Sequence, residues 1–273
     1  MIHRLASAFL LALMLPLGAY TWQEGPYALV LDSTIDQRSA MVDREKYPDA
    51  NAVVLEYAMS TRYKADGSYL QVADSAIKIL TEKGVEEFRV ISSWYNRSYS
   101  RAKIPLVQLI KPDGTRINVD LKHNTSEMSE NSDMAANIYD PQSRVIKVTV
   151  PGLAPGDILR CICVDETTRP RIPDSFSDLI LFENENPIIH LAVTINAPES
   201  LPLNSIAVKD RQGAGLKHEV RRLNNRIVYT WEAADVPQYF SEPKMPPASA
   251  YLQRLLVSTF KDWQEVSRWY WKL

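Results

Sequence analysis

Short apolar runs that alternate with polar residues, separated by turn signals, constrain the fold of this chain more than any other feature. Residues 52–63 alternate for most of their length. On an extended strand this spacing places four side chains on one face: Val53, Leu55, Tyr57 and Met59. Asp66-Gly67 follows and predicts a hairpin turn, because glycine accepts a positive φ without a Cβ penalty.

The same pattern recurs along the chain and predicts a mainly β protein. Lys-Pro-Asp-Gly at 111–114 is a second turn signal, because proline presets one φ angle and glycine permits the left-handed one. Residues 120–141 are polar and predict a long loop. Residues 88–95 predict a strand, although 85–90 is also compatible with a helical turn. The remaining predicted strands cover residues 68–80, 104–110, 115–119, 144–150, 158–164, 177–183, 188–196, 205–209, 216–222 and 226–231.

These strands predict antiparallel β-sandwiches, because no long amphipathic helix separates them. We expect a first part over residues 25–165 and a second part over 166–240, divided near a Pro/Arg-rich stretch. Residues 241–257 continue a proline-rich region and predict a linker.

The N-terminus predicts export. Residues 1–19 contain a short basic start, an apolar stretch over residues 5–17 and a small-residue region around Gly18 and Ala19, as in a signal peptide. The apolar stretch is shorter than the ~20 residues of a transmembrane helix. An uncleaved anchor is the alternative. We expect a periplasmic or extracellular protein without a stable membrane span after cleavage.

Composition excludes several function classes. Lys and Arg number 31 against 33 Asp and Glu, so there is no basic excess to neutralise the phosphates of a nucleic acid. The nine glycines form no phosphate-binding motif. Asp165, Glu166, Glu183 and Glu185 lack the spacing of a calcium loop. We therefore expect no nucleic-acid partner, no cofactor and no metal.

Cys161 and Cys163 lie two residues apart on a predicted strand, so their side chains share a face. Two packed thiols are the favoured interpretation, and a redox or metal pair is the alternative. Hydrolysis by either cysteine with His190 would require the residues to meet in space. His190 lies in an apolar run and is interpreted as a structural strand residue.

Two aromatic segments are candidates for contacts with other molecules. The stretch WYNRSYSR over 94–101 could bind carbohydrate or peptide, although aromatics packing inward at a strand end are favoured. Residues 258–273 predict a helix capped by Ser258 or Thr259. Its apolar residues recur at helical spacing: Phe260, Trp263, Val266, Trp269, Tyr270 and Leu273. Trp271 lies off this stripe, which favours the first helix of a further domain over a closing helix that folds back on the β region.

The order of several segments resembles a known family. A signal peptide precedes ADGSYLQVADSAIKILTEKG, then IKPDGTRINV, VPGLAPGDILR and STFKDWQEVSRWYW. This order is similar to the bacterial domain of unknown function 3857, which precedes a transglutaminase-like domain in exported proteins. The resemblance implies a β-sandwich without assigned catalytic residues. It also implies that 258–273 begins the transglutaminase-like domain, whose catalytic Cys and His have no counterpart after residue 240.

We therefore expect a non-catalytic exported scaffold or recognition module. Its partner would be a transglutaminase-like domain, with a cell-envelope peptide or glycan as a further ligand. We expect no catalytic, cofactor-binding or metal-binding residue. The alternatives are a secreted cysteine peptidase or amidase complete in this chain, and a carbohydrate-binding sandwich.

Overall fold

A computed structural model describes residues 21–22, 28–129, 140–209 and 216–272. The expected signal peptide and residues 130–139 of the expected loop lie outside these ranges. The described chain is mainly β, as predicted, and its largest element is an eight-stranded sheet. In spatial order this sheet contains β14 (Lys217–Leu223), β15 (Arg226–Val236), β12 (Ile188–Pro198), β3 (Ala52–Tyr63), β4 (Tyr69–Ile79), β10 (Ile158–Thr167), β6 (Ser100–Ile110) and β7 (Arg116–Asn118).

Two three-stranded sheets accompany the large one. The first small sheet contains β5 (Val90–Asn96), β9 (Ser143–Thr149) and β8 (Thr125–Ser129). The second small sheet contains β11 (Ser177–Leu181), β16 (Arg254–Ser258) and β13 (Ser205–Lys209). The short strands β1 (Thr21–Trp22) and β2 (Ala28–Leu29) pair with each other. The helices are α1 (Asp32–Ser39), α2 (Glu82–Phe88), α3 (Leu121–Asn124), α4 (Ala248–Tyr251) and α5 (Trp263–Tyr270).

Both small sheets pack on one face of the large sheet, here called the inner face. Leu255 of β16 and Ile180 of β11 join a core with Val193 and Trp231. Val148 of β9 joins a second core that includes strands β6 and β10. The opposite, outer face is covered by α1, whose Ile35 is fully buried. The predicted sandwich is therefore one large sheet facing two small ones.

The large sheet contains strands from both of the parts into which the sequence analysis divided the β region. The expected boundary between 25–165 and 166–240 falls inside the continuous strand β10, Ile158–Thr167. Strand β12 from the second part pairs in parallel with β3 from the first. Long-range pairing of this kind leaves no local turn signal, and the Pro/Arg-rich stretch is a loop rather than a boundary.

A β-bulge changes the orientation of side chains in β3. The pairing of β3 with β4 shifts register between Val54 and Glu56, so Leu55 is an extra residue. Val53 and Leu55 consequently pack in the core beneath α1, whereas Tyr57 and Met59 belong to the inner face. The prediction that these four alternating residues share one face is therefore wrong, because a bulge reverses the alternation at one point.

The segment over 241–257 is not a linker throughout. Residues 248–251 form α4, and Arg254–Ser258 form β16, the central strand of the second small sheet. Leu252, Leu255 and Val257 are buried there. The prolines end at residue 247, and the apolar run that follows them supplies the strand.

Local turns and caps follow the sequence more closely. Both Asp-Gly turns form, with φ of +82° at Gly67 and +86° at Gly114. Thr81 caps α2 by accepting a hydrogen bond from the amide of Gly84 at 3.1 Å. The expected loop over 120–141 contains α3 and β8 in its described part. Among the residues described, no helix has the length and apolar character needed to cross a bilayer.

Candidate functional site

A cleft lies on the inner face of the large sheet, between the two small sheets. Strands β3, β4 and β10 form its floor, and β11 and β5 stand on either side. One cavity of about 640 Å³ contains Tyr57, Gln71 and Asp178 in its lining. A neighbouring cavity of about 300 Å³ contains Cys161 and Cys163. Residues Glu87 and Phe88 at the end of α2 line both cavities, so the two spaces are adjacent.

Gln71 and Asp178 connect the floor to the second small sheet. The side-chain amide of Gln71 donates to Thr61 Oγ1 at 3.0 Å and to Asp178 Oδ2 at 3.1 Å. The backbone amide of Leu179 donates to the other carboxylate oxygen of Asp178 at 2.8 Å. Burial raises the pKa of Asp178, and these hydrogen bonds partly oppose the rise. The carboxylate is held in place by donors from two sheets.

Asp165 and Tyr57 are further ionisable groups of the inner face. Burial raises the pKa of Asp165 to about 6, against a hydrogen bond from Ser93 that lowers it. Burial raises the pKa of Tyr57 to about 12, and Cys163, Asp178 and Asp165 add to the rise. The Tyr57 phenol is therefore neutral at physiological pH.

The cleft carries acidic but no basic side chains. Neither cavity has a lysine or arginine in its lining, within the described part of the chain. The charged lining residues are Glu87, Asp178, Glu183 and Glu185. Besides Asp178, two of them accept hydrogen bonds from other residues: Glu87 from Asn186 at 2.9 Å and Glu183 from the amide of Gln253 at 2.7 Å. The cleft therefore combines apolar walls with a negative potential.

Cys161 and Cys163 share the inner face of β10, as the sequence predicts. Their Sγ atoms are 3.5 Å apart, and both cysteines are free. The hydrogen bond between the two sulfurs raises the pKa of Cys161, as does burial, and lowers the pKa of Cys163. Among the described residues no group of three or more His, Cys, Asp or Glu is arranged to hold a metal ion.

His190 lies on the outer face, away from the two sulfurs. Its Nδ1 is 2.7 Å from Glu56 Oε1, and Arg38 pairs with the same carboxylate. Burial, assisted by the positive charge of Arg38, lowers the pKa of His190 to about 4. The contact with Glu56 is therefore a hydrogen bond from a neutral ring. The structure does not bring His190 to either cysteine.

The remaining predicted candidates are dispersed. Arg97 pairs with Glu127 of β8, and the hydroxyl of Tyr95 donates to the same carboxylate at 2.8 Å. Trp94 is 61% exposed, so the aromatics of this segment do not all pack inward. Of the acidic candidates, Asp165 lies on the inner face and Glu185 lines the cleft, whereas Glu166 lies elsewhere.

Helix α5 presents a second candidate surface. It begins after Asp262, whose carboxylate accepts from the amide of Glu265 at 2.9 Å, and not at Ser258 or Thr259. Ser258 is the last residue of β16, and Thr259 instead bonds Phe176. The helix and Trp271, the residue that follows it, expose three aromatic side chains, with exposed fractions of 84% for Trp263, 65% for Tyr270 and 83% for Trp271.

Sequence reasoning did not single out Gln71 and Asp178. Gln71 belongs to a strand whose alternation continues through Ala73 and Ser75. Gln71 is a polar residue at a position where the alternation predicts a side chain on the buried face. This mismatch is the signal that could have identified it. Asp178 lies more than one hundred residues away, so their contact depends on tertiary structure.

Comparison with known proteins identifies the family. The family described as Domain of Unknown Function with solved-structure structure (DUF3857) matches residues 65–240. The chain belongs to this family. The DUF3857 match covers β4 through β15, and thus two of the three floor strands of the cleft, β4 and β10, but not β3. It ends before β16 and α5. No curated protein matches the chain.

Solved structures show a similar fold over most of this DUF3857 chain. A protein from Parabacteroides distasonis described as a candidate protease is 19% identical, with a TM-score of 0.66, and the match covers 77% of this chain and 40% of that one. This chain thus spans less than half of that protein's length.

Two further matches have TM-scores too low to support an argument. The zinc metallopeptidase of class M1 from Deinococcus radiodurans is 15% identical with a TM-score of 0.37, covering 76% of this chain and 42% of that one. A carbohydrate-binding CBM3a-L domain from the Clostridium thermocellum scaffoldin is 10% identical with a TM-score of 0.26. The match covers 44% of this chain and 69% of that one.

Proposed function

We propose that this chain is a non-catalytic module of an exported protein and that its aromatic helix α5 docks onto a transglutaminase-like domain. The observation that carries the proposal is the exposure of Trp263 and Trp271, both above 80%. Large aromatic side chains contribute most to binding when they enter a pocket of a partner. Export rests on the signal-peptide pattern of residues 1–19.

The two sides of α5 have different roles in this proposal. At about 100° per residue, Trp263, Tyr270 and Trp271 fall within an arc of about 100°. Val266 and Trp269 lie outside this arc and are half-buried. Trp269 lines a cavity with Leu201 and Phe260, so this side faces the β region. The exposed arc is therefore available to a partner while the helix stays attached to its own module.

A transglutaminase-like domain is the partner that the family resemblance favours. The module matches 40% of the Parabacteroides distasonis protein, so most of that protein lies outside the shared fold. In the family resemblance the transglutaminase-like domain begins at residues 258–273, so α5 lies at the junction with that domain. An aromatic helix at such a position suits docking into an apolar groove of the following domain.

The docking proposal is tested by adding a recombinant bacterial transglutaminase-like domain to this chain and measuring indole emission. We expect saturable binding that Trp263→Ser with Trp271→Ser weakens at least about tenfold, as for central interface aromatics. Trp94→Ser removes an exposed indole from β5 and serves as the matched control, with binding unchanged. No binding, or binding that the double variant leaves unaltered, would refute the proposal. Self-association of the chain through α5, seen by light scattering, would also refute it.

The acidic cleft supports a second function, recognition of a peptide that carries a lysine or arginine. The specific observation is the absence of basic lining residues beside four acidic ones in the described cleft. Its apolar floor suits the aliphatic stem of such a side chain, and Asp178 offers a half-buried carboxylate. The groove on the inner face is open between the two small sheets and accommodates an extended peptide backbone.

A pair of synthetic peptides tests this second function. Titration calorimetry with an Ala-Lys-Ala peptide, and with Ala-Glu-Ala in parallel, should show binding of the lysine peptide alone. Asp178→Asn should weaken it at least about tenfold, as for loss of a charge-assisted contact. Glu45→Gln, on an exposed turn outside the cleft, is the control. Equal affinity for both peptides, or an unaffected Asp178→Asn variant, would exclude charge recognition in the cleft.

A further inference from the structure

We propose that Cys161 and Cys163 form a thiol–disulfide exchange site on the floor of the cleft. The two Sγ atoms are in contact at 3.5 Å, and both side chains line the cavity of about 300 Å³. The chain has two cysteines, so these thiols have no other cysteine of the chain to pair with. The substrate class is a disulfide small enough, or exposed enough on a peptide, to enter this cavity.

The pairing between β10 and β6 is irregular where the two cysteines lie. Ile162 pairs with Leu106 and Val164 with Lys103, so the extra residue of the bulge is on β6, and Cys163 has no Cα partner on that strand. In a regular strand, alternate Cα atoms are about 6.5–7 Å apart, at the upper limit for a disulfide. Closure of a Cys161–Cys163 bond therefore needs a local adjustment of β10, and the missing pairing of Cys163 with β6 permits it.

The environments of the two thiols differ in the way that exchange requires. Cys161 is buried and Cys163 is half-buried. The hydrogen bond from Cys161 stabilises the thiolate of Cys163 and lowers its pKa, while it raises the pKa of Cys161. A thiolate is the nucleophile in disulfide exchange. Cys163 is therefore the attacking residue and Cys161 the resolving one.

The exchange balances in two steps. The Cys163 thiolate attacks one sulfur of the substrate disulfide, a mixed disulfide forms, and the second substrate sulfur leaves as a thiolate. Cys161 then gives its proton to that thiolate and attacks Cys163 Sγ, which expels the first substrate sulfur. The pair loses two electrons and becomes a disulfide, and the substrate gains them and becomes two thiols.

Oxidised glutathione serves as the probe. The full chain is incubated with oxidised glutathione, and the reaction is quenched with an alkylating reagent. The mass of the intact protein is then measured by mass spectrometry. We expect a product lighter by two hydrogen atoms, without glutathione and without alkylation. Dithiothreitol should restore two alkylatable thiols. Wild-type protein that keeps both thiols, or that carries glutathione without forming the internal bond, would overturn the proposal.

Two serine variants separate the roles of the thiols. Cys161→Ser should accumulate a stable glutathione adduct on Cys163, because the resolving thiol is missing. Cys163→Ser should react at least about tenfold more slowly, since its remaining thiol is buried and protonated. Circular dichroism checks that both variants fold, and the wild-type mass result decides the proposal even if one does not. Neither variant should alter docking through α5, so the two proposals fail independently.

Discussion

Arg160 and Asp74 form a buried ion pair across the neighbouring strands β10 and β4. Arg160 Nη2 lies 2.7 Å from Asp74 Oδ2, and Arg160 Nε lies 3.1 Å from Asp74 Oδ1. The same guanidinium donates to Asp32 Oδ1 at 2.6 Å and to the carbonyl of Val30 at 2.8 Å. One arginine thus joins the outer face of the sheet to the segment that begins α1.

Removal of one partner of this pair should destabilise the chain strongly. Arg160→Met leaves Asp74, which is 0% exposed, as an uncompensated charge. We expect a loss of about 3–5 kcal/mol in the free energy of unfolding, measured in urea. The double variant Arg160→Met with Asp74→Leu should recover much of that loss. Glu219→Gln, which breaks an exposed pair with Arg221, is the control and should leave the free energy of unfolding nearly unchanged. Equal effects of the buried and exposed variants would contradict the role given to Arg160.

Asp165 should lower the stability of the chain near neutral pH. Its pKa is about 6 in the folded chain, against an ordinary value of 3.8, so the folded state retains the proton more strongly. The free energy of unfolding should therefore fall as pH rises between these two values, by up to about 3 kcal/mol. Asp165→Asn should remove this decrease and be more stable than wild type above the upper value. The measurement is urea unfolding across this pH range.

Asp49→Asn, on an exposed turn, is the matched control for this measurement and should follow the wild-type curve. A variant Asp165→Asn that is less stable than wild type at neutral pH would show that the carboxylate is needed in its charged form.

His190 should make the free energy of unfolding decrease as pH falls, which is the opposite of the pH dependence expected from Asp165. Its pKa is lowered from 6.5 to about 4, so the folded state favours the neutral ring. The stability that follows is fully present above the unfolded pKa and is lost as pH falls through the folded one, by about 3 kcal/mol. His190→Gln keeps a donor for Glu56 and should reduce this acid-dependent loss. Direct titration of the ring by NMR provides the check, and a midpoint near the ordinary histidine value would contradict the structure.

Two glycines offer a matched test of turn packing. Gly67 and Gly114 both follow an aspartate and both have positive φ. A Cβ at Gly67 would lie 2.2 Å from the backbone oxygen of Ser175, whereas a Cβ at Gly114 would meet nothing within 4 Å. Gly114→Ala should therefore reduce the free energy of unfolding by about 1 kcal/mol, from backbone conformation alone. Gly67→Ala should reduce it by at least about 2 kcal/mol. Thermal unfolding of both variants measures the difference. Equal losses would show that the loop at Ser175 moves freely.

Features that depend on a few neighbouring residues were predictable from the sequence. The range of β3 and the two Asp-Gly turns follow from alternation and from the φ freedom of glycine, which act over a few residues. The shared face of Cys161 and Cys163 follows from strand geometry in the same way.

Features that depend on distant parts of the chain were not predictable. The bulge at Leu55 inverts one alternating pattern without altering its appearance. The parallel pairing of β3 with β12 joins residues more than one hundred positions apart. The cleft likewise needs Gln71 and Asp178 to meet across two sheets. The burial of the cleft residues and the grouping of their charges depend on tertiary packing, which a single sequence does not show directly.

Oxidative footprinting of the indoles tests the docking role of α5 most directly. The modification rates of Trp263, Trp271 and Trp94 are measured by mass spectrometry, with and without about 100 μM of a transglutaminase-like domain, enough to half-saturate a complex of −5 to −6 kcal/mol. We predict that the domain protects Trp263 and Trp271 and leaves Trp94 unchanged. Unchanged rates at Trp263 and Trp271 would contradict the account.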